Sequence, residues 1–295
     1  MKRVLIIGCG NVASRALPWL RRRFRVYALA RRPDGDAALR AAGVVPVRAD
    51  LDDRRSLMRL AGLADTVLHF APPPAQGAED PRTKRLLAAL GAGASLPQRL
   101  VYISTTGVYG DCGGAWVAET RATAARNPRA RRRVDAERQL RAFGRRQRVR
   151  ISVLRAPGIY GADRLPLERL RRGDPVLEGA DDVYTNHIHG DDLATAACLA
   201  MFRALPGRVY NASDDSELKM GDYFDTVADL FALPRPPRCA RADIADHLSP
   251  LTLSFMSESR RLHNARIKRD LRLRLRFARV EDGLRAARAA AADNR

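Results

Sequence analysis

The sequence predicts an α/β fold in which a doubly wound parallel sheet carries a small C-terminal α/β lobe. The chain opens with the apolar run Val4–Ile7, in which three of four residues are β-branched, and a glycine turn and a helical pattern over 11–20 follow at once. Apolar strand-like runs then alternate with helical stretches as far as residue 160. This alternation is typical of parallel sheets with helices on both faces.

The first turn has the spacing Gly-x-Gly-x-x-small, formed by Gly8, Gly10 and Ala13. Gly8 allows a turn too tight for a side chain, Gly10 lets a phosphate approach the backbone, and Ala13 keeps the helix close to the strand. The helix that follows offers unpaired N–H groups and a partial positive charge. We therefore predict a Rossmann-type dinucleotide site in which Gly8, Gly10, Asn11 and Val12 hold the pyrophosphate. A tight turn in another kind of α/β protein is the alternative.

The end of the second predicted strand, over 25–29, bears on the choice of cofactor. Proteins that bind NAD commonly place an acidic residue there for the ribose hydroxyls, whereas this chain has Ala30 followed by Arg31 and Arg32. A guanidinium can bind a 2′-phosphate through two parallel hydrogen bonds. We therefore expect NADP, with NAD as the alternative if both arginines are simply solvated.

Two later stretches are predicted to line the same crevice. Asp50 and Leu51, after the third predicted strand, are expected to meet the adenine, although an aspartate at 52 or 53 is equally suited to cap the next helix. Phe70, Ala71 and Pro72 begin an extended loop after the fourth strand, because a run of prolines cannot continue a central strand.

The net charge bears on the class of partner. The 295 residues carry a formal charge of +20, which fits nucleic-acid binding. However, the basic residues are nearly all arginine and are dispersed along the chain, and no basic stretch is interleaved with aromatic residues that could stack on bases. We therefore favour anionic small molecules as partners and do not expect nucleic acid.

The apolar runs and the cysteines bear on location. The N-terminal apolar run ends at Gly8, and the run over 193–202 is too short to span a bilayer. We expect no targeting segment and no membrane contact. The four cysteines form no Cys-x-x-Cys pair, so we predict no metal site and a reducing, cytoplasmic location.

Five segments follow one another in an order that matches a known family. They are Ser-Thr-Thr-Gly-Val-Tyr-Gly over 104–110, Leu-Arg-Ala-Pro-Gly-Ile-Tyr-Gly over 154–161, Asn-His-Ile-His-Gly-Asp-Asp-Leu-Ala over 186–194, Val-Tyr-Asn over 209–211 and Arg-Leu-His-Asn-Ala-Arg-Ile over 261–267. The chain resembles the extended short-chain dehydrogenase/reductases, the NAD-dependent epimerase/dehydratase family, over nearly its whole length.

The resemblance implies a division of the chain and a type of chemistry. Residues 1–160 would form the NAD(P)-binding domain, to which later strands and helices return, and 161–295 would form mainly the substrate lobe and C-terminal helices. The implied reaction is hydride transfer at a hydroxyl or carbonyl carbon of a nucleotide sugar or another anionic carbonyl compound. Pro157 would contact the cofactor, and a homodimer is left open.

The catalytic residues of the family are a Ser or Thr followed by Tyr-x-x-x-Lys on a helix. The resemblance places Thr105 at the first position, where it would hydrogen-bond the substrate oxygen. With Glu137 taken as the glutamate one turn after the pair, Arg133 stands in the place of the lysine and Arg129 in that of the tyrosine. Arginine supplies charge but does not take up a proton. We therefore predict electrostatic help from Arg133 and an atypical branch without the Tyr-x-x-x-Lys pair.

Other side chains could supply a base, namely Tyr109, Tyr160, His187 and His189, and we expect each of them to be structural. Arg260 and Arg261 fall near the position where members of the family hold a substrate phosphate, and an exposed surface pair is the alternative. Because the tyrosine is missing, the alternative function is a catalytically weak or inactive NAD(P)-binding regulator or scaffold.

Overall fold

The computed structural model describes residues 1–293, so 294 and 295, which end the predicted substrate lobe, lie outside it. The strands are β1 (Arg3–Ile7), β2 (Arg25–Ala30), β3 (Val45–Arg48), β4 (Thr66–His69), β5 (Arg99–Thr105), β6 (Trp116–Val117), β7 (Arg150–Ala156), β8 (Gly158–Tyr160), β9 (Val176–Leu177), β10 (Tyr184–Thr185), β11 (His187–His189), β12 (Arg208–Asn211), β13 (Leu218–Lys219), β14 (Arg238–Cys239) and β15 (Arg261–Leu262). The helices are α1 (Asn11–Arg21), α2 (Asp36–Ala41), α3 (Arg54–Leu57), α4 (Pro81–Gly91), α5 (Pro128–Gln147), α6 (Leu167–Arg171), α7 (Gly190–Arg203), α8 (Met220–Leu230), α9 (Pro250–Met256), α10 (Ala265–Leu271) and α11 (Val280–Asp293).

Seven parallel strands form the central sheet in the order β12-β7-β5-β4-β1-β2-β3. The strand β1 pairs with β2 on one side and with β4 on the other. The strand order therefore runs outward in both directions from β1, which confirms the predicted doubly wound sheet. Open α/β sheets bind ligands at such a switch point, outside the carboxyl ends of the strands.

The first strand shows why the sheet forms a two-sided core. Its residues 4–7 are completely buried. Val4 and Ile6 belong to the apolar cluster that α1, α7 and α10 share, whereas Leu5 and Ile7 belong to the cluster formed with α4 and α5. Because side chains alternate across a strand, an uninterrupted apolar run is what a strand covered on both faces requires.

The later part of the chain is shared between the sheet and a smaller lobe. A third apolar cluster joins α6, α8 and α11 around Tyr160, Tyr223 and Val280. The helices α7 and α10 and the strand β12 instead pack into the core of the sheet. The boundary between 160 and 161 stays a prediction.

Two further observations concern residues 1–293. Within them, no helix has the length and apolar character needed to cross a bilayer. The same residues contain no group of three or more side chains suited to hold a metal ion.

Candidate active site

A cleft of about 800 Å³ opens at the carboxyl edge of the sheet, between the sheet and the smaller lobe. It brings together most of the predicted site residues: Gly8, Gly10, Asn11, Val12, Phe70, Pro72, Thr105, Arg133 and Pro157. Five predicted residues do not line it: Arg31, Arg32, Asp50, Leu51 and Ala71. Its wall therefore combines the glycine turn after β1 with the end of β5.

The glycine turn after β1 lies close to the backbone that follows β4. Gly8 has a φ of +96°, and a Cβ there would lie 2.5 Å from the backbone nitrogen of Ala71. The amide of Ala71 itself donates to the carbonyl of Ile7 at 2.8 Å. Ala71 thus lies beneath the turn rather than in the cleft, and only glycine fits above it.

Gly10 has a different surrounding. Apart from its own neighbours in the chain, no described residue has an atom within 4 Å of the position that its Cβ would take. Gly10 is the N-cap of α1, and within the described residues no side chain caps this helix and no acidic residue stands in its first turn. The first N–H groups of α1 therefore face the cleft without a side-chain acceptor, which is the arrangement that a phosphate fits.

The side chain of Asn11 is held by its neighbours. Its Oδ1 accepts from Arg15 Nε at 3.1 Å, and its amide donates to Asp163. Arg15 also bonds Asp163 and Asp191, at 2.6 Å each. This network ties the start of α1 to the start of α7 and to the loop after β8. The contribution of Asn11 to a ligand would therefore come from its backbone.

Arg31 and Arg32 follow β2 directly and are both exposed. The positive charge of Arg31 contributes to the field on Asp52, whose pKa is lowered mainly by its hydrogen bond from Arg82. Both arginines lie outside the cleft.

Asp50 and Leu51 lie in the loop after β3. The backbone N–H of Asp50 donates to Ser56 Oγ at 2.9 Å, and Leu51 is buried in the core of the sheet. Asp53 caps α3, since its Oδ1 accepts from the backbone N–H of Arg55 at 2.9 Å. The capping role that the sequence left open between 52 and 53 therefore belongs to Asp53.

Thr105 ends β5 and lines the cleft. Its Oγ1 accepts a hydrogen bond from the backbone N–H of Gly107 at 3.2 Å. This bond caps the short 3₁₀ turn over Thr106–Tyr109 and orients the hydroxyl at the strand end. The Thr105 oxygen still has its own proton to donate.

Arg133 is half-buried on α5. Its Nη1 donates to the Tyr102 hydroxyl at 2.9 Å and to the carbonyl of Ile103 at 2.8 Å. The positive charge is therefore held against the end of β5. Burial raises the pKa of Tyr102 to about 12 although Arg133 opposes the shift, so this phenol stays protonated.

A buried ion pair fixes the position of α5. Glu137 Oε1 accepts from Ser104 Oγ at 2.7 Å and from Arg155 Nε at 3.0 Å, and Oε2 accepts from Arg155 Nη2 at 2.7 Å. Glu137 and Arg155 are 3% and 2% exposed. The pair joins α5 to β5 and β7 one turn beyond Arg133. It therefore sets which face of α5 turns toward the cleft.

Three of the four alternative bases have structural contacts, as expected. The buried Tyr109 hydroxyl donates to Asn211 Oδ1 at 2.7 Å, and the Tyr160 hydroxyl is directed at the carbonyl of Arg279 at 3.4 Å. His189 caps α7 by accepting from the backbone N–H of Asp191 at 3.2 Å.

His187 differs from these three because it lines the cleft. Its ring stacks on Tyr223 with 4.2 Å between the centroids. Burial lowers the pKa of His187 to about 3. The imidazole is therefore neutral at ordinary pH and is too weak a base to replace the tyrosine.

The structure places Arg260 in the cleft wall and not on the open surface. Its Nη1 donates to the carbonyl of Gly110 at 2.5 Å and pairs with Glu258 Oε2 at 2.9 Å. The interpretation as an exposed surface pair is therefore wrong for Arg260, because the turn after Tyr109 and Glu258 both cover its side chain. Arg261 is partly buried as well, and its Nε donates to the carbonyl of Gly114 at 2.9 Å.

Sequence reasoning missed the part of the wall that the smaller lobe supplies. These residues are Arg164, Arg169, Tyr184, Tyr223, Thr252 and Phe255. They belong to separate helices, strands and turns, and no local motif connects them. The only indication was the family resemblance, which implies a substrate lobe within 161–295.

The geometry agrees with comparisons to known proteins. Residues 4–213 match the NAD dependent epimerase/dehydratase family. The chain therefore belongs to this family, whose extended short-chain dehydrogenase/reductase fold it shares. No match was found among the curated proteins.

Solved structures resemble the chain over almost its whole length. A functionally unknown conserved protein from Silicibacter pomeroyi is 32% identical, with a TM-score of 0.83 over 98% of this chain and 99% of the other. UDP-glucose 4-epimerase from Thermotoga maritima, solved with UDP-glucose, is 19% identical, with a TM-score of 0.79 and 99% coverage of both chains. UDP-glucuronic acid 4-epimerase from Bacillus cereus, solved with NAD, is 17% identical, with a TM-score of 0.76 and 99% coverage of both. The two epimerases support the fold alone.

Proposed function

We propose that this protein is an NAD(P)-dependent oxidoreductase or epimerase/dehydratase-like protein that transfers a hydride to or from a hydroxyl or carbonyl carbon. One observation carries the proposal: a single cleft joins the uncapped N-terminus of α1 to Thr105 and Arg133 at the end of β5. The first part suits a diphosphate, and the second suits an oxygen that gains negative charge during the reaction.

The residues divide into two roles. Gly8, Gly10, Asn11 and Val12 would hold the pyrophosphate through the backbone, as the family fold implies, and Pro72 and Pro157, which line the cleft, would also contact the cofactor. Thr105 would hydrogen-bond the substrate oxygen, and Arg133 would stabilise its charge. Arg133 keeps its proton, so a reduction would draw its proton from another group or from water.

We further propose NADP as the preferred dinucleotide. The support is the exposed Arg31 at the end of β2, because a guanidinium pairs well with a 2′-phosphate. The test is a titration of NADPH and NADH, followed by protein fluorescence, in wild type and Arg31→Gln. The variant should weaken NADPH binding about tenfold and leave NADH binding unchanged. Equal curves for the two nucleotides in wild type would contradict the preference.

The substrate class is a nucleotide sugar or another anionic carbonyl compound. The Thermotoga maritima protein was solved with UDP-glucose, which makes nucleotide sugars the first compounds to test. NADPH consumption should fall about a hundredfold in Thr105→Ala if its hydroxyl stabilises the developing charge. Thr106→Ala is a suitable neighbouring control. An equal rate in wild type and Thr105→Ala would show that the Thr105 hydroxyl takes no part in the reaction.

A second function is favoured by Arg129, which also lines the cleft and which we place at the position of the family tyrosine. In this case the protein binds NAD(P) as a regulator or scaffold with little turnover. Tight NADPH binding without consumption over a panel of nucleotide sugars and aldehydes would support it. The free cysteines at 9, 112, 198 and 239 support a reducing compartment, and we propose the cytoplasm.

A further inference from the structure

The first two turns of α5 carry an unusual concentration of positive charge. Arg129, Arg132 and Arg133 all line the cleft, and their spacing of three and four residues places them on one face of the helix. The dipole of a helix disfavours cations at its N-terminus. No acidic residue occupies this first turn of α5, whose cap is Asn127. The helix therefore adds its own positive potential to three guanidinium groups.

The cleft offers little negative charge to balance them. Six arginines and one carboxylate, that of Glu258, are among its lining residues. Glu258 is already engaged, because Oε1 accepts from Asn127 Nδ2 at 3.1 Å and Oε2 pairs with Arg260 at 2.9 Å. Arg129 is exposed by surface area, but partial loss of solvent in the cleft lowers its pKa; repulsion by Arg133 and Arg132 acts in the same direction, and Glu258 opposes it.

Arg132 provides an independent sign that an acceptor belongs there. It is 6% exposed and its Nη1 donates to the carbonyl of Gly77 at 2.6 Å. Its Nε is buried without a hydrogen-bond partner among the described residues. A buried charged group with an unsatisfied N–H is costly unless another molecule supplies the acceptor.

Arg129 is arranged to reach such a molecule. Its guanidinium carbon lies 4.4 Å from the ring centre of Phe255 on α9, which lines the same cleft. The aromatic ring orients the planar group without occupying its N–H donors. Arg129 and Arg132 therefore lie three residues apart on one helical face, and both line the cleft.

We propose that Arg129 and Arg132 bind an oxyanion group of the substrate, a carboxylate or a phosphate, beside the reacting carbon near Thr105. The proposal rests on the function proposed above and narrows its substrate class to carbonyl or hydroxyl compounds with an acidic group close to that carbon. Arg133 is already hydrogen-bonded to the end of β5 and contributes charge to the same place.

The test is isothermal titration calorimetry of the full chain with malonate and with inorganic phosphate, at an ionic strength fixed with chloride. Malonamide serves as the uncharged comparison. Arg129→Gln and Arg132→Gln should each weaken the binding of the tighter anion about tenfold. Arg131→Gln is the matched control, since Arg131 is exposed on the same helix and does not line the cleft; it should change the affinity less than twofold.

The probe that binds more tightly shows whether the site prefers a carboxylate or a phosphate, and either preference supports the proposal. Three outcomes would overturn it: neither anion binds more tightly than malonamide, all three variants lose affinity equally, or saturating NADPH displaces the part of the anion binding that Arg129→Gln and Arg132→Gln weaken. The last result would show that the arginines hold the dinucleotide. NADPH affinity, measured in the same variants, should stay within twofold of wild type. Loss of dinucleotide binding with retained, arginine-dependent anion binding would refute the proposed function and not this inference.

If Arg132→Gln unfolds because the bond to Gly77 is lost, Arg129→Gln decides the question alone, as Arg129 has no such backbone contact among the described residues. Arg129→Lys adds a second criterion. It retains the charge and loses the planar pair of donors, so it should recover only part of the affinity. Full recovery would indicate attraction by charge alone and would refute a built site.

Discussion

The buried pair of Glu137 and Arg155 gives the sharpest test of how the structure supports its site. Glu137→Gln keeps the shape of the side chain and removes its charge. Burial opposes the charged form of Arg155, but its hydrogen bond and attraction to Glu137 raise the pKa of Arg155. The guanidinium is 2% exposed, and its Nη1 already lacks a partner among the described residues. The substitution therefore leaves the charge of Arg155 buried without the carboxylate that opposes it.

The expected loss follows from this burial. Removing one partner of a buried ion pair costs about 3–5 kcal/mol. An unfolding entropy of about 2.1 cal/mol/K per residue gives about 0.6 kcal/mol per degree for 295 residues. The midpoint of thermal unfolding should therefore fall by about 5–8 °C.

Thermal and urea unfolding, followed by circular dichroism, would measure this loss. The pair of Asp229 and Arg235 is a matched control, because its Nη2–Oδ2 distance is also 2.7 Å while both side chains are more than half exposed. Asp229→Asn should leave the midpoint unchanged within error. The double substitution Glu137→Met with Arg155→Met removes both charges and should recover part of the loss. Equal effects of Glu137→Gln and Asp229→Asn would refute the reasoning.

Three further predictions concern the turn, the helix cap and pH. Gly8→Ala should destabilise the fold, because its Cβ would collide with Ala71. Gly10→Ala should leave the midpoint of unfolding unchanged and weaken NADPH binding. Loss of stability in both variants would show that Gly10 is only structural. Asp53→Ala should cost about 1 kcal/mol in urea unfolding, since the cap of α3 is lost, and an unchanged midpoint would argue against that cap. Burial lowers the pKa of His187 to about 3, whereas the pKa of an unfolded histidine is about 6.5. Between these two pH values, only the unfolded chain takes up a proton on this side chain. The stability that is present above pH 6.5 is therefore lost as the pH falls toward 3. Between pH 8 and 5, His187→Gln should therefore lose less stability than wild type, by on the order of 2 kcal/mol, and parallel pH curves would contradict this.

The sheet could be predicted from the sequence because its evidence is local. The strand predicted over Val4–Ile7 begins one residue earlier in the structure, and the helix predicted over 11–20 is α1 (Asn11–Arg21). A strand covered on both faces requires a continuous apolar run, and the turn after it requires glycine where Ala71 approaches. Both requirements concern neighbouring residues, so both are visible in the sequence.

From the residues alone, the site was predictable where it lies at or just after the end of a strand, and Arg133 on α5 was placed only through the family resemblance. The glycine turn and Thr105 occupy such positions. Phe255 and Tyr184 reach the cleft from elements whose order in the chain does not reveal their distance from β5. Glu137 could be chosen as a register marker on α5, but its partner Arg155 lies on β7. That contact depends on tertiary packing, which no periodicity in the sequence encodes.

The helix α5 has one side that anchors it to the sheet and another that faces the cleft. Glu137 accepts buried hydrogen bonds from side chains on β5 and β7. These contacts fix the rotation of the helix about its axis. One turn earlier, Arg133 is held against Ile103, and Arg129 and Arg132 complete the face toward the cleft. Arg129 lies in the first turn, where the helix dipole opposes a cation, and its side chain bonds no backbone group among the described residues, whereas Arg132 donates to the carbonyl of Gly77. Removal of Arg129 should therefore change binding of the proposed anion far more than it changes the free energy of unfolding, and removal of Arg132 should change both.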